Sequence, residues 1–251
     1  MSFGKRAASA YGLARSLLMY YAIPGRARAW RDFYAGFLNQ DALAFDIGAH
    51  VGNRTRALAS TGARVIAVEA SAPLADLLEW FYGQHKRVTI LNQAVAAEEG
   101  PVRLFSSRRF PTVNTVNPAW REQVGQSAGF SAVRWEDEEL VEAITLDRLI
   151  GQFGLPDFCK LDIEGNELEA LRGLSRPIRG LSFEYIPAVK EIGLEVIARL
   201  QELGDYRFNY FADEVPRYAL DEWLEGQDMA AILKSLDREA RAGEIIARLV
   251  E

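Results

Sequence analysis

Four acidic residues stand where carboxylates can do chemistry. Asp46 opens Asp46-Ile-Gly-Ala-His-Val-Gly52, in which Gly48 and Gly52 bracket a turn behind the short apolar run Ala42–Phe45. Glycines let a backbone approach a nucleotide-like ligand closely, and Asp46 can accept hydrogen bonds from its polar groups. Glu69 follows 23 residues later at the end of a second apolar run, Arg64 to Val68. A carboxylate so placed suits both hydroxyls of a ribose. Asp162 and Glu164, two residues apart in Lys160-x-Asp162-x-Glu164, lie at a third such end, where two carboxylates can face one cleft. Together the first pair points to an adenosine-type ligand, with Ala70 beside Glu69.

The glycine spacing selects among such ligands. A dinucleotide fingerprint started at Gly48 needs glycine again two and five residues on, where His50 and Asn53 stand, and no phosphate-binding G-x-x-x-x-G-K-[ST] loop occurs. A positively charged sulfonium needs no pyrophosphate cradle and gains from Asp46, Glu69 and Asp162 around it. One cysteine, Cys159, and two histidines exclude an internal disulfide and a His/Cys zinc site, which leaves carboxylates as the available metal ligands. Asp162 and Glu164 are a thin coordination set, and no metal site is assigned. Lys160 can pair with either acid or meet an anionic substrate. His50 has the residue type of a general base, although in a cofactor loop it more often only hydrogen-bonds.

The elements that position these residues follow from periodicity. Ala42–Asp46, a helix Asn53–Ser60 stopped by Gly62, Arg64–Glu69, a helix capped by Ser71 with the stripe Leu74, Leu77, Leu78 and Phe81, and Val88–Asn92 make a βαβαβ half of a doubly wound sheet. Regular alternation fails from about 96 to 143, apart from a hairpin at Val102–Phe105, and residues 106–140 are expected to form a lid or substrate-specificity insertion. Trp120, Phe130 and Trp135 in it could stack on a sugar or pack the loop. Phe158–Ile163 is the next strand, Glu164 to Glu167 open a helix, and Leu181–Tyr185 places Glu184 on the same sheet edge, where it can line an acceptor pocket. A helix bearing Val189, Ile192, Val196, Leu200 and Leu203, a strand Tyr206–Phe211, a helix capped by Asp228 and stopped by Gly243, and a strand Glu244–Val250 complete an α/β chain.

At 251 residues, with 49% hydrophobic and 25% charged residues, the chain is long enough for one large core and unlike a disordered one. Residues 1–40 are expected to form a basic helical extension and residues 41–251 the ligand-binding domain. The first 31 residues hold Lys5, Arg6, Arg15, Arg26, Arg28 and Arg31 and no acid, although the whole chain carries a net charge of −6. That extension is read as an amphipathic helix packed on the domain, with weak contact to an anionic membrane surface as the second option. Its apolar stretch Leu13–Ile23 falls short of the roughly 20 residues of a spanning helix, and it ends in Tyr20 and Tyr21 rather than at a small-residue cleavage site, so a cytoplasmic location is expected. The acidic domain, and Asn117-Pro118 being followed by Ala119, argue against nucleic acid as the acceptor.

Phe45-Asp-Ile-Gly-Ala-His-Val-Gly-Asn-Arg-Thr55, Val65-Ile-Ala-Val-Glu69, Leu91-Asn-Gln-Ala-Val95 with Gly100, Ile144-Thr-Leu-Asp147 and Lys160-Leu-Asp-Ile-Glu-Gly-Asn-Glu167, in that order, resemble the FkbM family of S-adenosylmethionine-dependent methyltransferases. His50 stands where the family usually has Asn. The resemblance implies a class I methyltransferase fold, Rossmann-like, with a mostly parallel seven-stranded sheet and an antiparallel last strand. It also implies S-adenosylmethionine as cofactor and O-methylation of a hydroxyl on a saccharide or secondary metabolite. Asp46, Gly48, Ala49, His50, Gly52 and Asn53 would then hold the methionine part, Glu69 the ribose, and Asn92, Gln93 and Ala94 would lie beside the adenine. Asp162 would orient the acceptor or take its proton, with Glu164 second. Two other functions share the acids: a nucleotide-linked oxidoreductase, which lacks its glycine spacing here, and a non-catalytic cofactor-binding module, which has no need of so many carboxylates at one edge.

Overall fold

The computed structural model describes residues 3–213 and 215–250, with side chains from residue 7 onward, so the side chains of Lys5 and Arg6 lie outside the described residues. Two helices come first, α1 (Phe3–Tyr21) and α2 (Arg26–Tyr34). Then follow β1 (Leu43–Ile47), α3 (Asn53–Ala59), β2 (Arg64–Val68), α4 (Ala72–Tyr82) and β3 (Val88–Leu91), each built as its apolar pattern requires. The middle holds β4 (Ala94–Val95), β5 (Gly100–Ser106), α5 (Pro118–Val124) and β6 (Asp137–Ile144). After it come α6 (Leu146–Phe153), β7 (Phe158–Leu161), α7 (Glu167–Arg172), β8 (Gly180–Tyr185), α8 (Lys190–Leu203), β9 (Tyr206–Phe211), α9 (Gly226–Ser235) and β10 (Gly243–Leu249).

Seven strands form one sheet in the order β3-β2-β1-β7-β8-β10-β9, and β10 alone runs antiparallel to its neighbours. This is the Rossmann-like class I methyltransferase arrangement. The chain moves outward from β1 to β3, then resumes on the other side of β1 at β7. The order therefore reverses between β1 and β7, and the loops beyond their carboxyl ends part to leave a crevice there. β1, β7 and β8 are buried along nearly their whole length, because helices cover both faces.

One face carries α6 to α9 over Phe45, Ile47, Leu161 and Phe183. The other is closed by α2 and α3, with Trp30, Tyr34, Phe37 and Leu38 packed on Phe158, Phe211 and Ile246. Residues 30–38 thus belong to the layer that buries the sheet. α1 lies further out, tied by its last turn: the Tyr21 hydroxyl donates to the Val51 carbonyl at 3.0 Å and meets the Tyr82 hydroxyl at 3.2 Å.

Several local expectations change. Between 96 and 143 lies a second, three-stranded sheet, β4-β6-β5, in which β5 pairs antiparallel with β6 across a 30-residue excursion rather than as a tight hairpin. Strand β6, Asp-Glu-Glu-Leu-Val-Glu-Ala-Ile, is mostly exposed and acidic, so it has no period-2 apolar signal. Ser71 precedes α4 but its side chain caps nothing. Phe81 is exposed on α4, next to Trp80. α9 starts at Gly226 behind Glu225, which puts Asp228 inside its first turn, and it ends at Ser235, while Gly243 opens β10.

The packing of α2 sets a testable contrast. Trp30→Ala empties a site that is 2% exposed and is expected to cost about 3–5 kcal/mol in denaturant unfolding, whereas Phe81→Ala, 40% exposed, should change stability by about 0.5 kcal/mol or less.

Candidate active site

The crevice between β1 and β7 opens into a cleft whose empty space, open solvent at its mouth included, is about 920 Å³. The turn after β1 shapes its floor. Gly48 (φ 78°), His50 (φ 49°) and Gly52 (φ 79°) all take left-handed backbone, and a Cβ on Gly48 would fall 1.8 Å from the Asp162 carbonyl oxygen. Only glycine allows the two strand-end loops to approach this closely. The N–H groups of Gly48 and Ala49 both donate to the Val68 carbonyl, at 2.9 and 3.1 Å.

Glu69 is 7% exposed. Its two carboxylate oxygens accept from separate backbone amides, Ser71 N–H at 2.9 Å and His50 N–H at 2.8 Å. The Ser71 side chain is idle because the helix entrance is closed by backbone: the Leu74 N–H donates to the Ser71 carbonyl at 3.0 Å, and Pro73 has no N–H to cap. Burial pushes the Glu69 carboxyl up to about 7, against the pull of the Ser71 and His50 amides.

Below the floor, Asp46 is fully buried. It accepts from the Thr55 hydroxyl at 2.6 Å and faces Lys160 Nζ at 3.7 Å, its register partner on β7. The same ammonium reaches Asp162 at 3.0 Å. Burial raises the Asp46 carboxyl, and Lys160 only partly offsets it. Burial would lower Lys160, but the two carboxylates more than restore its proton. For Asp162 burial is likewise outweighed by the ammonium, and the carboxyl rests below its ordinary range. Burial takes His50 down to about 4, despite Asp162 nearby, so its ring is neutral at pH 7 and a weak base. Its Nε2 is buried without a hydrogen-bond partner among the described residues.

Glu164 sits on a strained turn at φ 52°, followed by Gly165 at φ 89°. Four groups fix that turn. The Thr115 hydroxyl donates to the Glu164 carbonyl at 2.7 Å, and Asn117 Nδ2 to the Gly165 carbonyl at 2.6 Å. Glu167 accepts from the Ile163 and Gly165 amides at 3.0 and 3.3 Å. Trp120, 1% exposed, packs on Gly165 and stands edge-on to Phe130 and Trp135, so two of the three aromatics considered for sugar stacking hold the loop instead. Phe130 does line a second cleft, of about 1040 Å³. Carboxylate oxygens of Asp162, Glu164 and Glu184 lie within 4.8 Å of one another, a set of hard oxygen donors that could hold a divalent cation.

Gly48, Ala49, His50, Asn53, Glu69, Ala70, Gln93, Ala94, Asp162 and Glu164 all line the cavity. Asp46, Gly52 and Asn92 do not reach its wall. Each works through a neighbour: Asp46 through Lys160, Gly52 by accepting from Tyr82 at 2.9 Å, and Asn92 by donating to the Glu69 and Ala70 carbonyls at 2.9 and 3.0 Å. Tyr20 on α1 and Leu104, Thr112, Asn114 and Thr115 around the insertion also line the cavity. The irregular composition draws attention to that insertion, but nothing local marks Tyr20, which meets the His50 ring at 5.7 Å across 30 positions.

Residues 46–227 match the methyltransferase FkbM domain, well over half of the chain. The chain belongs to the FkbM methyltransferase family. That membership decides between the two enzyme classes sharing the acids at 46 and 69, and S-adenosylmethionine is the methyl donor. No curated protein sequence matches the chain. Among solved structures, it is similar to an rRNA methylase from Streptococcus thermophilus, at 11% identity over 88% of this chain and 94% of that one, with a TM-score of 0.47. It is also similar to an O-methyltransferase from Bacillus cereus in complex with SAH, at 13% identity over 100% and 92%, with a TM-score of 0.44. The cavity fits a sulfonium-bearing nucleoside on its own chemistry: the buried acid Glu69 and the carboxylates of Asp162 and Glu164 line it.

Lys160→Met leaves Asp46 buried with the Thr55 hydroxyl as its hydrogen-bond donor and no ammonium beside it, and should cost about 3–5 kcal/mol at pH 7. Because the folded-state pKa of Asp46 is raised, protonation favours the fold. The loss should therefore shrink as pH falls, measured by urea unfolding at pH 7 and pH 5.

Proposed function

We propose that this methyltransferase acts on a hydroxyl of a small molecule, a saccharide or secondary metabolite, held in the second cleft. The observation that carries this reading is the position of the carboxylates. Glu164 and Glu184 line both the donor cavity and the second cleft, and Asp162 stands beside them within 4.8 Å. A hydroxyl reaching that junction is a hydrogen-bond donor and meets acceptors there. The donor brings an activated methyl group, and the protein's share is to align the acceptor oxygen and remove its proton.

In this reading Gly48, Ala49, His50 and Asn53 hold the methionine part, Glu69 and Ala70 the ribose, and Gln93 and Ala94 the adenine, with Asp46, Gly52 and Asn92 supporting them. Asp162, kept ionised by Lys160, orients the acceptor and takes its proton, and Glu164 assists. Glu184 joins them as a third carboxylate. The neutral His50 serves the donor loop rather than proton transfer. Residues 1–40 then form the helical extension, residues 41–251 the catalytic domain, and 106–140 the substrate insertion. An acid-rich junction repels a polyanion and favours a small acceptor over nucleic acid.

Calorimetric titration with SAH, NAD and NADP tests the donor site. Glu69 must be ionised to accept both ribose hydroxyls, and its carboxyl titrates at about 7. SAH should therefore bind about tenfold more weakly at pH 6 than at pH 8, and Glu69→Gln should abolish that dependence. A pH-independent wild type, or preference for a dinucleotide, would overturn the assignment. For the chemistry, Asp162→Asn should lower kcat by about 100-fold or more against a panel of hydroxylated acceptors while SAH affinity stays nearly unchanged. Equal losses in SAH binding would move Asp162 from acceptor to donor.

A further inference from the structure

The outer face of α1 carries an apolar stripe, with Arg15 beside it turned onto the Phe110 ring. Ala7, Ala10, Tyr11, Ala14 and Leu18 are exposed along it, followed by Met19, Ala22 and Ile23. Tyr11 is 56% exposed, Leu18 69% and Ile23 48%. Spacings of three and four residues put these side chains in one stripe on a helix. The stripe continues onto α4, where Trp80 is 78% and Phe81 40% exposed and Phe81 meets the Tyr21 ring at 6.4 Å. Six of the large apolar side chains that the fold leaves exposed gather at this one place, and water gains nothing from them.

Cations edge the stripe. Arg109 lies over the Tyr11 ring and Arg56 over the Tyr21 ring, and Arg26 closes the helix end by donating to the Met19 carbonyl at 3.2 Å. None of these three is in an ion pair with a described carboxylate. Arg28 and Arg31 follow on α2, sharing Asp32, the first acid of the chain. On the α4 side Asp76 and Glu79 are exposed, and Lys86 and Arg87 follow them.

We infer that this face docks on an anionic membrane surface, with the α1 stripe and Trp80 in the headgroup–acyl boundary and the arginines at the phosphates. The helix lies on the bilayer, since no described helix is long and apolar enough to cross one. The charge pattern selects this occupant over a second copy of the chain: a two-fold contact would set the same arginine rim against itself, whereas anionic headgroups neutralise it. Long arginine stems also suit a boundary, where they reach out to phosphate from apolar surroundings. Arg15, Met19 and Tyr20 of this helix line the second cleft, so docking holds that cleft beside the bilayer.

Vesicle flotation of the full chain tests the inference. Binding to equimolar phosphatidylglycerol–phosphatidylcholine vesicles should exceed binding to pure phosphatidylcholine by about tenfold or more and weaken with added salt. Leu18→Glu and Ile23→Glu should each cut it about tenfold, with the thermal unfolding midpoint unchanged because both side chains are exposed. Absence of binding, equal binding to both vesicles, or a dimer in light scattering that Leu18→Glu dissociates would each overturn it.

Discussion

A lysine buried between two strands organises this molecule. Lys160 comes up from β7 directly opposite Asp46 of β1, at the point where the strand order reverses and the sheet edge opens. Charge in an interior is costly unless it is compensated, and here one ammonium is shared by a fully buried acid and by one that looks into the cleft. The sharing is unequal. Asp46 is held high by its burial, while Asp162 is held low and remains an ionised hydrogen-bond acceptor in the cleft. The buried half of the network thus sets the charge state of the exposed half, and Gly48 keeps the two loops near enough for both to belong to one site.

A second constraint acts from outside the sheet. Left-handed backbone at Glu164 persists only because Thr115, Asn117, Glu167 and Trp120 all bear on the same turn. Two of those four belong to the stretch just before α5 and a third to α5 itself. The insertion is therefore fastened at its base to the loop that carries Glu164. Strain at Glu164 and order in the insertion support each other, which ties the shape of the second cleft to that of the loop after β7.

The sheet and the donor floor were legible because their signals are local. Buried parallel strands read as continuous apolar runs, glycine marks positive φ, and acids at strand ends mark the open edge, so residues 42–69 and 158–164 disclose both the element and its place beside the cavity. Signals that depend on distant partners were silent. Tyr20 has no feature that announces a contact with His50, nor Thr115 one with Glu164. Glu184 was suspected from its strand, but its meeting with Asp162 and Glu164 depends on the twist between β7 and β8. Ser71 shows the reverse failure: a good capping residue has nothing to cap, because Pro73 lacks an N–H and the Leu74 N–H goes to the Ser71 carbonyl. Phe81 fell on the right period and still faces outward, since α1 and not the sheet is its neighbour.

That neighbour joins the two ends of the molecule's chemistry. α1 touches the donor loop at two adjacent residues, Tyr20 against the His50 ring and Tyr21 on the Val51 carbonyl, and its opposite face is the apolar stripe. Its middle turns lean on the insertion, with Gly12 close to the Arg108 carbonyl and Arg15 over the Phe110 ring. Whatever orders α1 from outside stabilises the turn that carries His50 and Gly52. By linkage, a donor that orders this turn favours the seated helix by the same free energy. The coupling requires no path through the core, because the helix that faces outward is also a wall of the donor cavity.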